Sequence, residues 1–299
     1  MKAQQNALKA IALVLASMAI APIVDVTAKY LGQQGIPVLQ LAWARLFFGA
    51  FCTLPFAVSA VGYSAFHPEN LKLNSLRACC LLVGTGSLFL ALKFLPVADA
   101  LAVYFVQPIF ITALSPIILK EYVSLKRWAL VVAGFLGVLI IIRPGVQSLN
   151  LGHLFALCTA MASAFYYMVT HFLSGKAQPI VTTFQTSAIG ALALCAAAPV
   201  DWVTPSGSQW VLLIGLGAIA ILAHYLTTKA YDYGDASLLS ALNYSEMVTS
   251  VMLGWAVFGD FPDRYTFIGV AILIGCAIYI SHDERRRALA EKSEALVRP

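Results

Sequence analysis

Charge is what this chain lacks. Nineteen Lys and Arg and fourteen Asp and Glu in 299 residues leave it 11% charged, against about 25% for an ordinary soluble domain. A soluble fold of this size has an aqueous surface to cover, and these charges are too few to cover it. That excludes a soluble enzyme. Disordered chains are poor in apolar residues, and this one is 60% apolar, so disorder is excluded too. The net charge of +5 calls for no nucleic acid, because excess Lys and Arg in such a chain sit on cytoplasmic loops.

Reactive constellations are missing as well. The six cysteines, Cys52, Cys79, Cys80, Cys158, Cys195 and Cys276, form no C-x-x-C pair and lie in apolar stretches. They read as small buried hydrophobes rather than a disulfide or metal set. The histidines are scattered at 67, 153, 171, 224 and 282, which suggests no zinc site. No H-E-x-x-H, G-x-S-x-G, phosphate-binding loop or paired intramembrane Asp motif occurs. The sequence therefore implies no cofactor and no enzyme.

Long apolar runs are present instead. A membrane-spanning helix needs about 20 mostly apolar residues, and apolar windows between polar or Gly/Pro breaks give ten: 9–31, 38–60, 75–95, 97–119, 125–143, 152–173, 179–199, 209–230, 236–258 and 264–281. The expected fold is an all-α polytopic membrane protein embedded in a lipid bilayer. The apolar run after Met1–Lys9 lacks a clear cleavage site and is expected to stay as the first helix. Fourteen of the nineteen basic residues fall on one side when the N-terminus is placed in the cytoplasm: Lys2, Lys9, Lys72, Arg77, Lys120, Lys126, Arg127, Lys176, Lys229 and five in the tail after 283. By the positive-inside rule both termini are cytoplasmic. Trp202 and Trp210 belong at the opposite interface.

The two halves resemble each other. A shift of 139 residues lays Ala91-Leu92-Lys93-Phe94 on Ala230-Tyr231-Asp232-Tyr233, Gln107 on Glu246, Glu121 on Asp260 and Trp128 on Phe267. The halves, 1–147 and 148–282 with a cytoplasmic tail 283–299, hold five spans each. Five is odd, so the second half enters from the opposite side and the repeats are inverted. Such repeats are a signature of secondary transporters, with the substrate site near the midplane between halves.

Ionisable groups at membrane depth cost at least about 2.5–3.5 kcal/mol each and need a partner or a purpose. Asp25 and Lys29 share a face of the first span, and Arg45 in the second can reach Asp25; the three form either a structural cluster or a substrate-contacting or gating cluster near the outer mouth. Glu246 stands alone in the ninth span, where desolvation disfavours the charged form. It can carry a coupling proton, hold a cationic substrate group, or serve only as a helix contact. Polar candidates for a cavity wall accompany it. Tyr104 and Gln107 share a face of span four (i, i+3) and Asn243 shares the equivalent face of span nine with Glu246, while Tyr166, Tyr167, Gln185 and His224 lie on spans six to eight. Each alone is more often a packing residue than a ligand contact; their concentration on spans four, six, eight and nine makes the joint case. Gly134, Gly137, Gly269 and Gly275 read as scaffold or homodimer surfaces.

Ten short-looped spans in two five-helix halves, with similar segments at Glu121 and Asp260, resemble the EamA type of the drug/metabolite transporter superfamily. Within it, Asp25 with Lys29-Tyr30-Leu31-Gly32, Arg45-Leu46-Phe47-Phe48, Leu54-Pro55-Phe56, Asn243-Tyr244 and Phe261-Pro262-Asp263 are similar to the S-adenosylmethionine uptake transporters. Glu246 falls where many members carry a Glu before a Pro. Here Met247 follows, which removes one cause of a kink. The resemblance implies an inner-membrane carrier for a small-molecule substrate, S-adenosylmethionine or a related amino-acid-like compound, with an amino-acid exporter or a riboflavin-like importer as alternatives. A channel or structural membrane protein is the reading from a different class, and an intramembrane enzyme is a remote third.

Overall fold

The computed structural model of the chain describes residues 2–67, 70–120, 122–142, 150–234, 239 and 242–259, and most positions from 264 to 279. Glu121, Arg143, Asp260, the 261–263 segment and the tail 283–299 lie outside the described residues. The helices are α1 (Lys2–Gln33), α2 (Val38–Val61), α3 (Leu71–Phe94), α4 (Val97–Tyr104), α5 (Gln107–Leu114), α6 (Leu125–Ile142), α7 (Leu151–Leu173), α8 (Pro179–Leu194), α9 (Gly207–Ala230) and α10 (Glu246–Phe258). The described residues from 264 to 279 are also helical. No strand occurs among the described residues. The fold is all-α and polytopic, two inverted five-helix repeats. The helices over Ala7–Gln33, Val38–Phe66, Leu71–Phe94, Leu151–Leu173 and Gly207–Ala230 are each long and apolar enough to cross a membrane, while Gln107–Leu119 and Pro179–Leu194 are shorter.

Local chemistry sets the helix ends. Asn150 accepts from the Gly152 N–H at 2.9 Å and caps α7, with His153 returning to the Asn150 backbone. Ser206 and Gln209 form the same reciprocal box at the start of α9. Both arrangements satisfy backbone N–H groups that a helix start leaves free. Pro22 and Pro55 sit inside α1 and α2 without ending them.

Span four departs from the continuous helix expected over 97–119. It stops at Tyr104 and restarts at Gln107. Pro108 is the reason: it has no N–H to give, and its ring collides with the carbonyl four residues back, which is that of Tyr104. Pro116 lies in a further distortion, a π turn over Ser115–Leu119, closed by Lys120 in the left-handed region at φ 57°. Span nine is interrupted at the equivalent place. A 3-10 turn over Asn243–Ser245 precedes α10, which begins at Glu246, although no proline follows. The breaks thus fall at Gln107 and Glu246, the two positions that the internal repeat matches.

Packing obeys the same pseudo-symmetry. Exchanging the halves carries α1 to α7, α2 to α8, α3 to α9 and α4–α5 to α10. The contact of α3 with α7 then corresponds to that of α1 with α9, and α1 on α10 corresponds to α7 on α4–α5. The α2–α8 contact maps onto itself. Eight spans therefore form the seam between halves. Across it, Trp202 and Trp210 join Trp43 and Phe48 of α2, with the Trp43 and Trp202 rings 5.5 Å apart.

Small residues set the closest approaches. A Cβ at Gly134 would lie 2.5 Å from the Tyr244 ring, and one at Gly137 would lie 3.2 Å from the Gly269 carbonyl. These glycines serve contacts within the chain, whereas Gly275 has nothing within 4 Å. Among the described glycines, the tightest backbone approach joins α2 and α9, where a Cβ at Gly217 would meet Phe48 Cβ at 2.5 Å and Gly49 N at 2.9 Å. The cysteines differ from expectation. Cys276 is buried, but Cys79, Cys158 and Cys195 are exposed, because Cys79 and Cys158 lie on outward faces of α3 and α7 and Cys195 caps the end of α8.

The α2–α9 seam generates a test. Gly217→Ala overpacks it at a cost of about 1–3 kcal/mol, read as a lower melting temperature in detergent. Gly215→Ala, with nothing within 4 Å, leaves the melting temperature unchanged or slightly higher. Equal effects of the two substitutions would contradict the packing described.

Candidate functional site

A cavity of about 80 Å³ lies at the seam between the halves. Helical periodicity builds it. From α1 come Ser17, Met18, Ala21, Val24 and Asp25; from α3, Cys80, Leu81, Gly84, Thr85 and Leu88. From α7 come Thr159, Ser163, Tyr166 and Tyr167; from α9, Ala220, Ala223, His224 and Thr227. Each set recurs every three to four residues and so forms one face of its helix. Arg45, Leu101, Tyr104 and Glu246 complete the lining. Seven of the sequence candidates are thus brought together: Asp25, Arg45, Tyr104, Tyr166, Tyr167, His224 and Glu246.

The carboxyls and the guanidinium are held differently. Asp25 and Glu246 are 5% and 6% exposed, line the cavity, and accept no hydrogen bond from a described residue. Arg45 reaches in from α2. Its Nη1 donates to Thr85 Oγ1 at 2.9 Å and its Nη2 to His224 Nε2 at 2.9 Å. A guanidinium only donates, so His224 Nε2 is the acceptor and its proton sits on Nδ1. That N–H donates to the Tyr166 hydroxyl at 3.1 Å. Ser17 Oγ bonds the Ala223 carbonyl and Thr227 Oγ1, both at 2.8 Å, tying α1 to α9.

Four candidates lie elsewhere. Gln107 and Asn243 were expected to share helix faces with Tyr104 and Glu246, but the breaks in spans four and nine separate each pair. Gln107 and Asn243 bond each other instead, Asn243 Nδ2 donating to Gln107 Oε1 at 3.5 Å, so the two broken helices meet behind the cavity. Lys29 donates to the Leu95 carbonyl at 3.2 Å and lies over the Phe258 ring. It lines a second cavity of about 420 Å³ with Lys93, Phe89 and Leu92. Gln185 also lies away, buried between Asn74 and the Ala65 carbonyl.

Arg77 is the residue that sequence reasoning passed over. Counted only as a basic residue of the inner side, it is fully buried in α3. Its Nε donates to Thr170, its Nη1 to Thr186, and its Nη2 to Tyr166 and Thr228, at 2.6–3.3 Å. Lys72 and Arg77 are close in sequence, and a charge count treats them alike. The signal that separates them is depth: Arg77 stands nearly two turns inside its helix. Ser17, Thr85, Ser163 and Thr227 were also missed, although small hydroxyls at helical spacing from Tyr166 and His224 mark two of them.

Two segments of the chain, 8–143 and 150–281, match the EamA-like transporter family. An S-adenosylmethionine uptake transporter of Rickettsia prowazekii is 28% identical over 281 residues, 94% of this chain and 95% of that protein. A riboflavin transporter of Vibrio cholerae is 28% identical over 277 residues, 91% and 93% of the two chains. One crystal structure superposes with a TM-score of 0.70 at 21% identity, over 91% of this chain and 98% of its own, which shows the shared fold. With both halves matched across nearly their whole length, the chain belongs to the EamA-like transporter family and is a multi-pass membrane transporter.

Proposed function

We propose that this chain is a secondary active transporter of the inner membrane, with both termini cytoplasmic, that carries S-adenosylmethionine or a related amino-acid-like compound by alternating access. The observation that carries the reading is the cavity at the seam. Two carboxyls without hydrogen-bond partners among the described residues, one guanidinium and three tyrosines converge where the halves 1–147 and 148–282 meet. A cationic centre on the substrate, ammonium or sulfonium, is matched by Asp25 and Glu246. The rings of Tyr104, Tyr166 and Tyr167 suit a flat heterocycle, and cation–π attraction adds to their hold on a cation. The name of the Rickettsia relative supports the same substrate. The tyrosines alone would equally suit a flavin ring, as the name of the Vibrio relative suggests, but the paired carboxyls favour a cation.

The volume bears on mechanism. Small-molecule pockets run to about 300–1,000 Å³, so a cavity of about 80 Å³ is contracted. A metabolite enters as the halves rock apart, and the seam described above is the surface that opens. Lys29, one turn from Asp25, stands at the approach to the site rather than within it. Gln107 and Asn243 act through the two broken helices rather than on the substrate. Glu246, at the break of span nine, either neutralises the substrate cation or exchanges a proton during the cycle.

Two outcomes follow. Glu246→Gln keeps shape and hydrogen-bonding capacity but removes the charge, and it abolishes uptake into proteoliposomes, or its pH dependence, while the protein stays folded; full uptake with an unchanged pH profile would contradict the role. In a thermal-shift screen, S-adenosylmethionine raises the melting temperature, by mass action equivalent to about 2.7 kcal/mol at a hundredfold excess over Kd. Riboflavin and simple amino acids give smaller shifts, and a larger shift with riboflavin would move the assignment to flavins.

A further inference from the structure

Among the described residues two guanidiniums lie inside the bundle, one on α2 and one on α3, and they are satisfied to different degrees. Arg77 is fully buried and makes four hydrogen bonds to Thr170, Thr186, Tyr166 and Thr228. Its guanidinium carbon also lies 4.7 Å from the Tyr166 ring centre. Arg45 lines the cavity and uses only two of the five N–H groups of a guanidinium, one on Thr85 and one on His224. Its Nε has no partner. Among the described residues no carboxylate lies within ion-pair distance of either arginine, although Asp25 and Glu246 open into the same cavity as Arg45.

The two arginines are joined. Arg77 donates to the Tyr166 hydroxyl, His224 Nδ1 donates to the same oxygen, and Arg45 donates to His224 Nε2. The geometry fixes each role. Arg77 and the histidine both spend a proton on Tyr166. The imidazole is thereby held neutral with its Nε2 lone pair aimed at Arg45, and Arg45 is held by that lone pair and by Thr85. The remaining Nη protons of Arg45 form the planar fork that binds a carboxylate with two parallel hydrogen bonds.

We propose that Arg45 is the receptor for a carboxylate on the substrate, and that Arg77 is its positioning residue, acting through Tyr166 and His224. The proposal rests on the transport reading above and deepens it. The cavity then has two poles, a guanidinium for the anionic group and Asp25 with Glu246 for cationic ones. The substrate class is a zwitterion, an α-amino acid with a further cationic centre, rather than a simple organic cation. Arg77 never touches the substrate; it is the anchor that keeps the imidazole and the fork in register.

The test compares the affinities of purified protein for S-adenosylmethionine and for its decarboxylated analogue, which keeps the sulfonium, the amine and the adenosyl group. Wild type prefers S-adenosylmethionine by about tenfold or more, the worth of a charge-assisted pair of hydrogen bonds. Arg45→Gln brings the ratio close to one. Tyr166→Phe, which keeps the ring and removes only the hydroxyl link, and Arg77→Gln lower the ratio as well, and Arg77→Lys rescues it incompletely because it lacks the fork. A purely structural role for Arg77 would weaken both ligands together and leave the ratio intact. If Arg77→Gln does not fold, Tyr166→Phe gives the same reading. Equal wild-type affinity for the two ligands overturns the carboxylate site while leaving a transporter of organic cations standing. Binding of neither overturns the substrate assignment and this inference together.

Discussion

A guanidinium cannot be left bare inside a helix bundle. An unpaired ion in a low-dielectric interior loses far more hydration than packing returns, and the bundle solves this for Arg77 with hydroxyls. Thr170 and Tyr166 come from α7, Thr186 from α8 and Thr228 from α9, so one α3 side chain of the first half is gripped by three helices of the second. Much of the seam follows from that constraint. It sets the depth at which α3 meets α7, it fixes Tyr166 as a double acceptor, and through His224 it dictates where Arg45 points.

The other constraint is backbone rather than charge. Pro108 forbids a continuous span four, and the 3-10 turn before Glu246 interrupts span nine at its pseudo-symmetric position. The first break leaves Tyr104 as the last residue of α4, facing the cavity, and turns Gln107 away from it. The second leaves Glu246 as the first residue of α10, facing the same cavity, with Asn243 turned back. Interrupted helices at matched positions in two halves are how transporters of this architecture bring polar groups to the middle of a membrane. Here the interruptions sort four polar residues into two that face the cavity and two that tie the broken helices together.

Much of this was legible in the sequence. The spans show in apolar run lengths, the repeat in the match of Gln107 to Glu246, and Asp25, Arg45 and Glu246 as charges at membrane depth that need a partner or a purpose. What escaped was what a single helix cannot tell. Periodicity placed Tyr104 with Gln107 and Asn243 with Glu246, and it assumed unbroken helices; the proline that broke the first was visible, but the consequence for facing was not drawn. The 3-10 turn over Asn243–Ser245 has no comparable mark. Arg77 was passed over because charge counting uses a basic residue near a span's start only to orient the chain. Its hydroxyl partners come from helices about 90 to 150 residues away in sequence, a relation that only tertiary packing creates.

The central claim is a two-pole cavity at the seam between inverted halves, filled by a zwitterionic substrate. A structure of the protein determined with bound S-adenosylmethionine tests it most directly. The account predicts the ligand between the halves, its adenine among Tyr104, Tyr166 and Tyr167, its carboxylate on Arg45, and its ammonium and sulfonium turned towards Asp25 and Glu246. A ligand bound outside the seam, or with its carboxylate turned to Asp25 and Glu246, would contradict it.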